Sequence, residues 1–208
     1  MPVELSELVD PGHTAVVTSE VQNGVIGDAA PLADLGAAAR KEAVGNIARL
    51  VRGARAAGVP VVHGLAWTRA DGRGMNMNAR LFAATRKLGV TMEPGSFEAA
   101  VLDEIGTEPS DILLGRFHGL NPMGVTDLDP VLRNLGVTTI VVAGVSVNVA
   151  ITNLIMDAVN RGFQVVMPRD AVAGVPKEYA DLVIDNTLVL LSTVTTTDAV
   201  LAAWGSGG

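Results

Sequence analysis

The chain has 208 residues, 15 basic and 22 acidic, for a formal net charge of −7, and 49% of its residues are hydrophobic. This length and apolar content predict one domain, residues 1–208, with a core that needs neither disulfides nor a structural metal. The acidic balance argues against a nucleic-acid surface, and the longest apolar runs fall far short of the ~20 residues of a membrane span. We therefore expect a soluble, cytoplasmic protein that binds neither nucleic acid nor membrane.

Short β-branched runs alternate with longer stretches of helical spacing. One such stretch, 44–54, ends before Gly58, and another runs from Thr126 to Gly136 and begins with a sequence similar to a capping box. Continuous apolar strands alternating with helices predict a three-layer α/β/α, Rossmann-like fold around a mostly parallel six-stranded sheet. The six predicted strands are residues 14–18, 59–63, 111–114, 138–143, 163–167 and 192–195.

Ligands of such sheets bind beyond the carboxyl ends of the strands. The predicted ends are Glu20, 63–67, 116–118 and 146–150. Glu20 is a candidate acid or base, although it could equally pair with an arginine for structure alone.

A cation, an aromatic ring and an imidazole follow the third predicted strand at Arg116, Phe117 and His118. Together they favour a site for an anion or a carbonyl group. The structural alternative is that Arg116 neutralises a nearby acid and His118 only caps the following loop.

Metal and nucleotide sites are not predicted. No acid lies near His63 and Trp67 before Asp71, and His13 is at the opposite edge of the predicted sheet. The glycines at 72–74 and 144–146 match neither a phosphate loop nor a dinucleotide fingerprint. We therefore expect no cofactor.

The chain from 14 to 204 resembles the isochorismatase-like superfamily, also called the cysteine hydrolase family. The resemblance is carried by order and spacing of many segments, and by a weaker match of EVQN at 20–23 to the family's aspartate-methionine-glutamine-asparagine segment. The stronger segments are TDLD at 126–129, LRNLGVTT at 132–139, VVAGVSVN at 141–148, DAVNRGFQVV at 157–166 and DAVA at 170–173.

The resemblance implies that a catalytic triad has changed at every position. The family's amidases use aspartate, lysine and cysteine, and the corresponding residues here are Glu20, Arg116 and Ala150. Alternatively, Arg116-Phe117 corresponds to an arginine-tyrosine pair that comes just after the family's lysine. In that case Leu114 occupies the lysine position. The chain contains no cysteine at all. It also lacks the aspartate-histidine cluster of the family's metal-binding amidases.

Loss of the cysteine is compatible with catalysis, because isochorismatases proper cleave a vinyl ether with glycine at that position. The resemblance further implies a cis peptide at Val145–Ser146, with the Val149 and Ala150 N–H groups as oxyanion donors.

The sequence predicts an isochorismatase-like hydrolase of a small polar or anionic molecule that uses no cysteine nucleophile. Glu20 is the predicted acid/base, Arg116 the electrostatic anchor and His118 an auxiliary acid/base, beside Ala150. The alternative is a catalytically inactive member that binds a small ligand or acts as an assembly partner. In either case we expect a homo-oligomer, a dimer or a tetramer. The predicted substrate contacts are Gln22, Trp67, Phe117, Ser146, Asn148 and Val149.

Overall fold

A seven-stranded sheet forms the centre of the computed structural model, which describes residues 3–28 and 30–205. Its order is β3-β2-β1-β4-β5-β7, with β6 paired to β4, and all of these pairs are parallel. The predicted α/β class is confirmed, but β6 was missed because two residues are too few to form a pattern. The strands are β1 (Thr14–Ser19), β2 (Val61–Ala66), β3 (Ile112–Arg116), β4 (Thr139–Val145), β5 (Gln164–Pro168), β6 (Val172–Ala173) and β7 (Thr193–Thr195).

Helices cover both faces of the sheet. Successive residues of β1 and β4 contribute to two separate apolar cores: Val16 and Val141 to one, Val17 and Val142 to the other. This is the alternation expected of strands buried on both sides. The helices are α1 (Leu5–Leu8), α2 (Asn23–Ile26), α3 (Ala33–Glu42), α4 (Val44–Ala56), α5 (Arg80–Lys87), α6 (Leu128–Asn134), α7 (Thr152–Asn160), α8 (Lys177–Asn186) and α9 (Thr197–Ala203).

The two predicted helices form, with one difference in capping. Helix α4 is followed by Gly58 at φ +73°, a conformation that glycine adopts without strain. The expected capping box of α6 does not form. Thr126 Oγ1 accepts a hydrogen bond from the Leu128 N–H at 3.2 Å, but Asp129 pairs with Arg133 instead of reaching back. The Asp129 side chain is one methylene shorter than that of the glutamate that usually completes a capping box.

The second strand continues further than predicted. The sequence predicted His63 at the carboxyl end of this strand. Because β2 runs to Ala66, His63 instead lies inside the strand. The β-branched run stops at Gly64, where a Cβ would lie 2.7 Å from the Pro122 ring. The glycine therefore reflects close packing, and the strand does not end there.

Within residues 3–28 and 30–205, none of the helices has the length and apolar character required to cross a membrane.

Candidate active site

The carboxyl ends of β1 to β4 surround a cavity of about 180 Å³. We call it the strand-end cavity. All four predicted catalytic positions line it, together with four of the six predicted substrate contacts. These lining residues are Glu20, Arg116, His118 and Ala150, with Trp67, Phe117, Ser146 and Val149.

Glu20 leaves the sheet in an unusual backbone conformation. It directly follows β1 and has φ 56°, in the left-handed region that residues other than glycine rarely adopt. Its N–H donates to the Gly64 carbonyl at 2.9 Å, which ties the turn to the neighbouring strand. Strained residues of this kind are often found at functional sites, where the surrounding structure holds them in place.

Arg116, the last residue of β3, forms an ion pair with Glu20. Its Nη2 donates to Glu20 Oε1 and to the Leu120 carbonyl, the latter at 3.3 Å. The arginine side chain is only 4% exposed, and its Nε and Nη1 atoms have no hydrogen-bond partner among the described residues. Both atoms are enclosed by the protein, and their N–H groups point to different sides of the guanidinium, so each is a separate donor without a partner within the described ranges.

Two aromatic rings lie beside this pair. Trp67 and Phe117 have ring centroids 5.7 Å apart and planes tilted by 57°. The Trp67 ring packs directly on Gly115, where a Cβ atom would overlap it. His118 is exposed in the same wall of the cavity. The next residue, Gly119, donates its N–H to Asn76 Oδ1 at 2.7 Å, which joins two of the loops around the cavity.

Ala150 lies in a π-helical turn, Val147–Ile151, between β4 and α7. Near the end of β4, Gly144 has a φ of +116° and contacts the Ser19 carbonyl, which leaves no room for a Cβ. The Val145–Ser146 peptide is cis, as the resemblance implied. The Ser146 carbonyl accepts the Val149 N–H at 3.2 Å, so this predicted oxyanion donor already has a partner. The Ala150 methyl group lines the cavity where the resemblance places the family's thiol.

Two predicted substrate contacts do not line the cavity. Gln22 is fully buried, and its amide donates to the Ala66 and Ala99 carbonyls at 2.9 Å and accepts the Ala66 N–H at 2.7 Å. Asn148 donates to the Val175 carbonyl at 2.6 Å. Both side chains therefore connect segments of backbone, a role that their residue types alone do not reveal.

A second group of buried polar residues lies towards the amino end of the sheet. His63 Nδ1 lies 2.8 Å from Thr18 Oγ1, and its Nε2 lies 3.5 Å from Asp111, which pairs with Arg55. Burial lowers the pKa of His63 to about 4.

Within the described part of the chain, no group of three or more His, Cys, Asp or Glu side chains is arranged to hold a metal ion.

The sequence reasoning missed most of the apolar lining. Leu81, Phe82 and Thr85 of α5, together with Leu88 just after it, face the cavity at helical spacing. That periodicity is visible in the sequence, but it does not show which surface the helix faces.

Residues 14–199 match the family model described as Isochorismatase domain. The chain belongs to the isochorismatase family. The predicted family and hydrolase class are thus confirmed, for a member without the cysteine.

The similar proteins of known name include hydrolases of amide bonds. Ureidoacrylate amidohydrolase RutB of Methylobacterium radiotolerans is 31% identical over 182 residues, covering 78% of this chain and 68% of that protein. The protein of the same name from Rhizobium rhizogenes is 30% identical over 176 residues, covering 77% and 70%.

Solved structures share the fold. A cysteine hydrolase from Pseudomonas syringae pv. phaseolicola 1448A has a TM-score of 0.81 at 24% identity, covering 100% of both chains. An N-carbamoylsarcosine amidase from Thermoplasma acidophilum has a TM-score of 0.71 at 23% identity, covering 89% of this chain and 97% of the other.

Proposed function

We propose that this isochorismatase-family hydrolase acts on its substrate without a covalent intermediate and uses Glu20 as the acid/base. The observation that carries the proposal is the Glu20–Arg116 ion pair in the same cavity as Ala150. A methyl group cannot attack a carbonyl carbon, and we assign the attack to water.

Glu20 is suited to activate that water. Its carboxylate accepts a hydrogen bond from a permanent cation and retains further lone pairs, so it can accept a proton from water held in front of Ala150. The hydroxide forms a bond to the carbonyl carbon, the bond to the leaving group breaks, and the proton passes from Glu20 to that group. His118 also lines the cavity, and we assign it an auxiliary role in this last transfer.

Arg116 stabilises the charge that develops on the carbonyl oxygen. A guanidinium does not release its proton in proteins, so Arg116 serves as an anchor and not as a proton carrier. Arg116 lines the cavity, whereas the Val149 N–H is already bonded to the Ser146 carbonyl, so we assign this role to the arginine. The Ala150 N–H is a further candidate donor to the same oxygen.

The polar part of the substrate is the group that Arg116 binds, a carbonyl or an anionic oxygen. The relatives named ureidoacrylate amidohydrolase make amides the first class of substrate to test. Esters and vinyl ethers follow, because neither requires a thiol. The second candidate, a ligand-binding protein without catalysis, is favoured by the methyl group at Ala150 alone.

The test is turnover of a panel of small amides, esters and vinyl ethers, with products measured by liquid chromatography and mass spectrometry. Glu20→Gln is expected to lower kcat/KM by about 10²–10⁴-fold with unchanged circular dichroism. Glu178→Gln, an exposed glutamate of α8, is the matched control and should retain full activity.

Pretreatment with N-ethylmaleimide removes any contaminating cysteine hydrolase and leaves this cysteine-free chain intact. Full activity of Glu20→Gln would refute the assignment of the acid/base. Saturable binding without turnover of any compound would favour the ligand-binding alternative.

A further inference from the structure

Much of the strand-end cavity is hydrocarbon. Apolar side chains from α3, from α5 and from the loop after α5 line it, and we call this group the apolar wall. Its residues are Leu35, Leu81, Phe82, Leu88 and Met92.

Helix α5 is unusual because none of its residues is buried. Leu81 is 45% exposed although it lines the cavity, and Leu88, just after the helix, is also 45% exposed. Apolar surface left open to water in a concave site is stabilised when a ligand covers it. The wall therefore offers binding free energy to a hydrocarbon group.

The charged pair in the same cavity favours a neutral polar group. The positive charge of Arg116 already faces the carboxylate of Glu20, which would repel a second anion placed close to the pair. Arg116 lines the cavity and can still donate to a neutral carbonyl oxygen. The cavity volume of about 180 Å³ is below the roughly 300 Å³ at which sites for drug-sized ligands begin.

We propose that the substrate is a compact, uncharged carbonyl compound, an amide or an ester, with a short aliphatic or single-ring hydrocarbon body. The carbonyl group lies against Arg116 and the body lies on the apolar wall. This inference rests on the proposed function, whose small polar or anionic substrate it narrows to an amphipathic and uncharged one.

The test is binding of straight-chain carboxamides from acetamide to hexanamide, measured by NMR titration in the wild type and in Glu20→Gln, which removes turnover. The dissociation constant should fall about fourfold for each added methylene until the cavity is filled. Isosteres with an ether oxygen in place of one methylene should lose most of that gain. Equal affinity along the series, or equal binding of the ether isosteres, would overturn the inference.

Two helix variants test whether the apolar wall causes the gain in affinity for each added methylene. Leu81→Gln should reduce the gain per methylene to less than twofold, whereas Leu182→Gln, on an exposed position of α8 outside the cavity, should leave it at about fourfold. Leu88→Gln serves as a second wall variant. An unchanged gain in both wall variants would contradict the assignment.

The two proposals fail separately. A fourfold gain per methylene without turnover of any compound retains the amphipathic ligand and refutes the hydrolytic role of Glu20. Turnover that depends on Glu20, with no gain along the series, retains the mechanism and refutes the substrate class.

Discussion

Two buried arginine–carboxylate pairs lie towards opposite ends of the same sheet, and they are bonded differently. Towards the amino end, Arg55 donates to Asp111 at 3.2 and 2.6 Å, to the Gly106 carbonyl at 3.1 Å and to Glu108 at 3.5 Å. Every nitrogen of its guanidinium therefore has a protein partner. At the carboxyl end, only Nη2 of Arg116 is bonded, and two nitrogens have no partner in the described structure.

The difference separates a fully hydrogen-bonded pair from one whose arginine keeps donors without partners in the part of the chain that the structure describes. Burial raises the pKa of Asp111, but hydrogen bonds from Arg55 and from the Glu108 N–H more than offset this, and the pKa lies below its usual value. The Asp111 carboxylate therefore uses its hydrogen bonds to connect segments of the fold. The Arg116 pair lines a cavity, and under the proposed function we expect it to contribute to ligand binding more than to stability.

The largest expected effect comes from breaking the structural pair. Asp111→Ala leaves Arg55 without its main partner, and we expect the free energy of unfolding to fall by about 4 kcal/mol. Urea denaturation measures the change, with Asp103→Ala, an exposed aspartate, as the control. Turnover per folded molecule should stay within about twofold of the wild type. A loss of less than about 1 kcal/mol, the range of exposed ion pairs, would contradict a structural role for the Arg55–Asp111 pair.

The next effect is on catalysis. Arg116→Met removes the donors to the substrate oxygen, so kcat/KM should fall by about 10²–10³-fold. Arg116→Lys should restore only part of this, because lysine lacks the planar array of donors. Arg52→Met, at an exposed position of α4, controls for loss of charge. Unchanged kcat/KM in Arg116→Met would make the two arginine pairs equivalent.

The third effect is a pH dependence of stability at the amino end. Burial lowers the pKa of His63 to about 4 from 6.5, so between these values the unfolded chain binds a proton that the folded chain does not. The His63 contribution is therefore fully present above pH 6.5 and lost as pH falls towards 4. Between pH 7.5 and 4.5 it amounts to about 2.5 kcal/mol.

Urea denaturation of the wild type and His63→Gln at these two pH values tests this, because the variant should lack that part of the pH dependence. NMR titration of the wild type gives an independent check. A His63 ring that titrates near pH 6.5 would contradict it.

The smallest effect concerns an exposed pair of the same type. Arg49 Nη2 lies 2.5 Å from Asp198 Oδ1, and the aspartate side chain is 76% exposed. Asp198→Asn should change the free energy of unfolding by no more than about 1 kcal/mol, because water screens such pairs. Urea denaturation at low and high salt measures it. A loss comparable to that of Asp111→Ala would mean that burial does not explain the difference between the pairs.

Prediction from sequence succeeded where the signal was local. The apolar strand runs and the helical spacing of α4 gave the fold class, and Glu20, Arg116, His118 and Ala150 were all placed at the end of the sheet where they lie. It failed for residues whose role depends on distant neighbours. Gln22 was assigned to the substrate, but its amide is occupied by backbone groups of Ala66 and Ala99.

The sequence by itself determined that no thiol is available and that an α/β fold forms, because composition and apolar periodicity are properties of the chain alone. Only the tertiary structure decided that Glu20 pairs with Arg116, 96 positions away, and that two arginine nitrogens remain without a partner. It also brought apolar side chains of α5 into the same cavity as that pair. Such contacts follow from strand order and register, which join distant segments and leave no periodic signal within either of them.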